Sequence, residues 1–170
     1  MFYFKLAKRG DKGATPYNLR NCAYLKEFDK PKIIYPNMTK YMPFYFDDHI
    51  HFYHNDKSFF ITGHHVAYLL AFLNSSLFKY CFRDNFAVLF GGSREVRKVY
   101  MIEIPVKDVD DATDKVFAAL VSDIQEEYTG DKAKEIDRRI FDIYGLSQDE
   151  REAVGFIDFH NQTEEDEDDE

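Results

Sequence analysis

The segment Gly91-Gly-Ser-Arg-Glu-Val-Arg-Lys98 packs two conformationally free glycines against three cations. Glycine backbone approaches a phosphate closely, and Arg94, Arg97 and Lys98 supply the charge that neutralises it. Arginine also grips a guanine edge through paired hydrogen bonds. A hairpin loop with solvated charges presents the same residues, so the segment takes its meaning from its surroundings. Lys32, Lys40 and Arg83 lie in the same half of the chain, with Asn37, Thr39, Asn55 and Ser93 as polar loop residues. The candidate phosphate- and base-contacting set is therefore Gly91, Gly92, Ser93, Arg94, Arg97, Lys98, Lys32, Lys40 and Arg83.

A second constellation is His49-Ile-His51-Phe-Tyr-His54, followed by His64 and His65. Imidazoles at i and i+2 of a strand share one face and, with Asp47 or Asp48, suit a metal ion. The same pair facing solvent or an anionic partner looks no different. Cys22 and Cys81 are too few for a disulfide framework or a cysteine-built zinc site and read as buried thiols of a cytosolic protein.

Absent motifs exclude several reaction classes. All five prolines stand alone, so no Asn/Asp-Pro-Pro-Tyr/Phe motif is available to grip the amino group of a base. The Gly91-Gly92 pair does not lead a helix after a strand, as a P-loop or dinucleotide fingerprint requires. No lysine follows an acid by two residues, so the Asp/Glu-x-Lys half of a common metal-dependent nuclease site is missing. Neither Gly-x-Ser-x-Gly nor a Cys/His nucleophile spacing occurs. No metal or cofactor site is therefore assigned to this chain, and no complete catalytic constellation is present.

Charge is divided along the 170 residues rather than spread. Residues 1–101 carry 15 Lys+Arg against 8 Asp+Glu, and the remainder carries 7 against 23, giving the net −9. A basic part is followed by an acidic one, and 23 of the 29 aromatic residues lie in the basic part. Any stacking surface belongs there. The N-terminus places Lys5, Lys8 and Arg9 where a signal peptide needs its apolar run, so secretion is not expected. Residues 58–78 lack Asp, Glu, Lys and Arg, but Gly63, His64, His65 and Asn74 mark a strand end followed by a buried helix rather than a membrane span.

The elements that must position these residues follow from periodicity. Short aromatic or β-branched runs predict strands at residues 1–4, 32–35, 41–46, 50–53, 58–61 and 99–104, with turns at 9–13, 47–48 and 55–56. From His65 the period becomes helical, with Tyr68, Leu69, Phe72, Leu73, Ser76 and Tyr80 on one stripe through about Phe82. Beyond Pro105 three helices are expected, at about 112–128, at 131–144 with Gly145 as its stop, and after the capping box Ser147-Gln-Asp-Glu150. Seven consecutive acids, Glu164 to Glu170, predict a solvated tail. The fold class is α+β: an aromatic-rich, mainly antiparallel sheet packed on a central helix, with a small helical appendage. Residues 1–106 form the first domain, 107–158 the helical appendage, and 159–170 an acidic disordered tail.

The order Leu19-Arg20-Asn-Cys22-Ala-Tyr24, Phe28-x-x-Pro31-Lys32-Ile33-Ile34-Tyr35-Pro36, Phe60-Ile61-Thr62, Tyr68-Leu69-Leu70-x-x-Leu73-Asn74-Ser75, Gly91-Gly92 and Ile104-Pro105-Val106 resembles the TaqI-like C-terminal specificity domain. That domain is the target recognition domain of adenine-specific DNA methyltransferases and type II restriction-modification enzymes. The run Ile136-Asp137-Arg138-x-Ile140-Phe141-x-Ile143-Tyr144-Gly145-Leu146-Ser147-x-x-Glu150 is similar to the helical segment that commonly closes such proteins. The resemblance implies a module that docks on double-stranded DNA and reads a short sequence for a separate catalytic domain or subunit. In such proteins that catalytic part binds S-adenosylmethionine, or Mg where cleavage also occurs, and methylates the N6 of a flipped adenine. It implies a cytoplasmic bacterial or archaeal protein with no membrane partner, not an enzyme by itself. Two other classes remain beside it: a small His-dependent metal-binding enzyme, and a protein-interaction adaptor acting through the helices and acidic tail.

Overall fold

A computed structural model describes residues 8, 15, 24–50 and 52–158. The expected strand at 1–4, the turn at 9–13, Cys22, His51 and the acidic tail lie outside the described residues. The fold is α+β with antiparallel sheets.

The central strand of the larger sheet is β1 (Lys32–Pro36), whose β-branched and aromatic residues suit a pleated, buried surface. It pairs antiparallel with β3 (Tyr45–Asp47) on one side and β4 (Ser58–Ile61) on the other. Pro36, which has no N–H to give, stands at the strand end. The register sets Lys32 opposite Asp47, and their side chains close a fully buried ion pair at 2.7 Å. Lys32 also donates to the Phe28 carbonyl at 2.7 Å, fixing the 3₁₀ turn Leu25–Asp29 against the strand. Asp47 accepts from the Ile50 amide at 3.1 Å and the Phe52 amide at 2.6 Å. The pattern predicts a strand over 50–53; the Ile50 and Phe52 amides turn inward onto this carboxylate instead.

The strand expected over 41–46 survives only as β3. Thr39 Oγ1 accepts from the amides of Tyr41 and Met42, and Met42 has φ 53°, so the chain turns there. Phe44 then exchanges both backbone bonds with the Asn74 side chain, 30 residues away. A strand the sequence hid, β2 (Met38–Thr39), joins β5 (Ala87–Val88) and β6 (Arg94–Glu95) in a second small sheet, ordered β2-β6-β5.

The helical stripe from His65 forms two helices, α1 (Val66–Asn74) and α2 (Ser76–Phe82). The break is Ser75, in extended conformation, whose hydroxyl donates to the Phe72 carbonyl and accepts from the Phe78 amide. Short polar side chains that bond the backbone locally compete with helix continuation. The strand expected over 99–104 is a single helical turn, α3 (Lys98–Met101). Local bonds from the Tyr100 and Met101 amides to the Arg97 carbonyl outweigh the β propensity of Val99 and Tyr100. Cys81, read as a buried thiol, is exposed.

After Pro105 come α4 (Asp111–Glu126), α5 (Gly130–Tyr144) and α6 (Gln148–Val154). Asp110 and Thr129 cap the first two, Gly145 ends α5 in the left-handed region, and Ser147 with Glu150 forms the expected capping box. These helices share the core of the sheet. One cluster runs from Ile33 and Tyr35 through Phe72 and Phe78 to Phe117, Val121, Ile140 and Val154. The N-termini of α1 and α2 are capped from across this core. The Tyr68 amide donates to Asp114 at 2.9 Å, and the Ser76 amide to Asp137 at 2.8 Å.

The Lys32–Asp47 and His65–Asp111 pairs each give a test. Asp47→Ala strands the Lys32 ammonium in the interior and should cost about 3–5 kcal/mol in urea unfolding. The same substitution in a Lys32→Met background should cost less, and equal costs in both backgrounds would show that the two charges are not coupled. The second concerns His65, whose Nε2 lies 2.9 Å from Asp111. That bond, with Asp114 and Asp108 nearby, holds the imidazole above its ordinary 6.5 although some desolvation opposes it. A raised value stabilises the fold fully below the unfolded pKa and loses that contribution as pH rises through the folded one. The destabilisation caused by Asp111→Asn should therefore be largest well below the ordinary imidazole value and shrink as pH rises above it, and a pH-independent difference would contradict it.

Candidate nucleic-acid interface

The small sheet and its hairpin bring together residues that are distant in sequence. Arg94 of β6 stands opposite Val88 on one side and Thr39 on the other, so Lys40, which follows Thr39, is carried to the same sheet as the 91–98 segment. Lys40 is exposed, with its Nζ 5.5 Å from the centre of the Tyr41 ring.

The hairpin apex is closed by the Leu89 amide donating to the Ser93 carbonyl at 2.7 Å. Between them Gly91 (φ 73°) and Gly92 (φ 75°) both occupy the left-handed region, which explains two consecutive glycines at this turn. A Cβ on either would meet nothing within 4 Å, so the glycines answer to turn geometry rather than to crowding within the chain. Ser93 is half-buried behind them. Phe90, at the apex, is fully exposed at 103%, although nothing in its residue type predicts this.

The three cations of the segment have separate fates. Arg94 is only 11% exposed; it donates to the Phe86 carbonyl at 3.2 Å and to the Asp84 carboxylate at 2.8 Å. It therefore staples the turn Arg83–Asn85 to the hairpin. Arg97 is 59% exposed and lies against Glu95 at 2.8 Å, which favours its charged form. Lys98 opens α3 and is exposed. Helix α3 is held at the foot of the hairpin by Tyr100, whose ring meets the buried Phe86 edge-on at 6.2 Å. Phe86 in turn packs on Phe78 of α2, so the hairpin is anchored to the core.

Arg83, half-buried, begins the turn that leads into β5, and its Nε has no hydrogen-bond partner among the described residues. Lys32 does not belong to this surface. It is 0% exposed, paired with Asp47 in the other sheet and bonded to the Phe28 carbonyl, so it is not available to a phosphate, contrary to what its residue type suggests. Lysine 32 read as a free cation because its partner carboxylate is 15 positions away and becomes a neighbour only through strand pairing.

The described histidines disperse. His49 is exposed beside Asp48, His54 packs on the rings of Phe28 and Phe60, His64 is exposed, and His65 is bound to Asp111 at the start of α1. Among the described residues no group of three or more His, Cys, Asp or Glu is placed to hold a metal ion. No helix of the described residues is long and apolar enough to cross a membrane.

These environments make different demands on the two arginines. Arg94→Ala should lower the thermal midpoint by several degrees, through loss of a mostly buried, charge-assisted bond, on the order of 1–3 kcal/mol. Arg97→Ala should leave the midpoint within about a degree of the parent, as is usual for an exposed ion pair. Differential scanning fluorimetry on the two variants checks this, and equal melting of both would refute the division.

Residues 2–106 match the TaqI-like C-terminal specificity domain, more than half of the chain and the whole of both sheets, α1, α2 and α3. No curated protein matches the chain. The chain belongs to the family of TaqI-like C-terminal specificity domains, the DNA specificity modules of methyltransferase and restriction systems.

Proposed function

We propose that this chain is a non-catalytic, sequence-specific reader of double-stranded DNA. It would hold its site for a separate methyltransferase or nuclease domain or subunit in the cytoplasm of a bacterium or archaeon. The observation that carries the reading is the family match across residues 2–106, which contain the basic part of the chain. The small sheet supports it by presenting Lys40, Arg97 and Lys98 on exposed positions around an anchored hairpin. Lys40, Arg97 and Lys98 are the proposed phosphate contacts, with Arg83 beside them. The backbone at Gly91, Gly92 and Ser93 is positioned for close approach to the duplex. Arg94 acts by holding the hairpin in shape. Residues 107–158 brace the reader through the shared core.

S-adenosylmethionine and Mg are assigned to the catalytic partner, because the motifs that would engage them or the target base are missing from this sequence. Their chemistry would be supplied there, while this chain orients the duplex so that the target adenine meets the partner's pocket.

The test is a fluorescence-anisotropy titration of labelled duplex at several salt concentrations. Replacing Arg97 and Lys98 by Ala should reduce the slope of log affinity against log salt by about 1.8, from roughly 0.9 per neutralised phosphate. The chain alone, given DNA and S-adenosylmethionine or Mg, should neither methylate nor cut. Unchanged slopes in the double variant, or turnover by the isolated chain, would overturn the corresponding part of the proposal.

A further inference from the structure

Phe90 is the most exposed large apolar residue of the described chain, at 103%, and it stands at the apex of the β5–β6 hairpin. The exposure is built rather than incidental. Leu89 and Ser93 close the turn by a 2.7 Å backbone bond, the two left-handed glycines fix its curvature, and Arg94 clamps its base to Asp84 and the Phe86 carbonyl. Phe86, four residues earlier, is buried at 1% and contacts Phe78 and Tyr100; Phe90 makes no ring contact with any described aromatic. Val88, two residues back at the end of β5, is also 63% exposed. Water gains nothing from a phenyl ring, so an anchored turn that holds one outward presents it to a surface.

The surroundings select what kind of surface. Arg97 and Lys98 follow the hairpin at its foot, and Lys40, next after Thr39, continues β2 toward the turn, so the apolar tip projects from a small sheet that carries exposed cations. An aromatic tip on a cation-bearing sheet matches a nucleic acid, in which phosphates flank apolar base surface. A two-stranded ribbon also fits the width of the B-DNA major groove. Resting on the DNA-reading function proposed above, we infer that Phe90 is a base-contacting residue: its ring lies on apolar nucleobase surface, either a base face at an opened step or a thymine methyl on the groove floor.

The sequence contains no tryptophan, so Phe90→Trp creates a single reporter at the tip. In the full chain, titration with a mixed-sequence duplex should quench and shift the emission of this Trp in parallel with anisotropy. Phe90→Ala should bind the same duplex on the order of tenfold more weakly, the range expected for loss of one stacked base. Its salt slope should match the parent's, since no charge is removed, and its melting midpoint should not move, since the ring supports no core contact. Duplexes with 2-aminopurine report an opened step, and duplexes with uracil for thymine report a methyl contact. If the parent binds no duplex in a salt-dependent way, the DNA reading and this inference fall together. If parent and Phe90→Ala bind alike, or the Trp emission ignores saturating DNA, the role of Phe90 alone is refuted. If Phe90→Ala leaves DNA affinity intact but dissociates a self-associated parent in sedimentation, the tip serves a protein surface and the inference is wrong.

Discussion

The two helices at the centre of this molecule begin in the interior, where the first amides of a helix cannot be left to water. A helix start carries several N–H groups without intrahelical partners, and a buried one needs an acceptor from elsewhere. Here the acceptors are carboxylates of the C-terminal helices: Asp114 of α4 takes the Tyr68 amide of α1, and Asp137 of α5 takes the amide and hydroxyl of Ser76 at the start of α2. The Ser76 hydroxyl also accepts from the Ile157 amide, which ties the chain beyond α6 to the same point. Burial pushes Asp137 up to about 6 despite the bonds from Ser76 that favour its charged form. With seven of nine residues of α1 buried, that helix must be covered by the sheet on one side and by α4 and α5 on the other. The acidic helices are therefore components of the reader's core and not merely carried beside it.

The same logic divides the cations. Lys32 and Lys79 lie inside, the first paired with Asp47 and the second donating to the carbonyls of Tyr41 and Met42. Burial, reinforced by Arg83, pushes Lys79 down to about 7. Arg94 lies at the boundary, where its two terminal nitrogens bind the Phe86 carbonyl and Asp84 while its Nε has no partner among the described residues. These three build the framework, and the surface charge that remains around the hairpin belongs to Lys40, Arg97 and Lys98. A basic composition of the first 101 residues is thus a weaker guide to an interface than it looks, since part of it is consumed in holding turns and strand register.

The hairpin shows how a projecting turn is anchored on a sheet of two-residue strands. So few ladder bonds cannot hold a shape by themselves. The structure compensates with side chains: Phe86 enters the core, Tyr100 fixes α3 against it, and Arg94 closes the turn behind. What projects from that base is a glycine turn and one phenyl ring.

Much of this was written locally in the sequence. The α+β class, strands β1 and β4, the helical stripe after His65, the three C-terminal helices and the Ser147 capping box all rest on periodicity and cap chemistry, which act within a few residues and are readable in order. The family resemblance rested likewise on ordered short motifs. Tertiary structure decided whatever depends on a distant partner. It turned the Ile50 and Phe52 amides onto Asp47 and exposed Cys81, whereas the break at Ser75 and the helical turn at Lys98 follow from local bonds that periodicity alone does not display. It also separated Lys32 from the surface cations and set Lys40 beside the hairpin, because charge type is visible in a residue but a counter-ion such as Asp47, 15 positions from Lys32, is chosen only when strands pair. Exposure of Phe90 has the same origin: an apolar residue reads as core until the turn that carries it is seen to face outward.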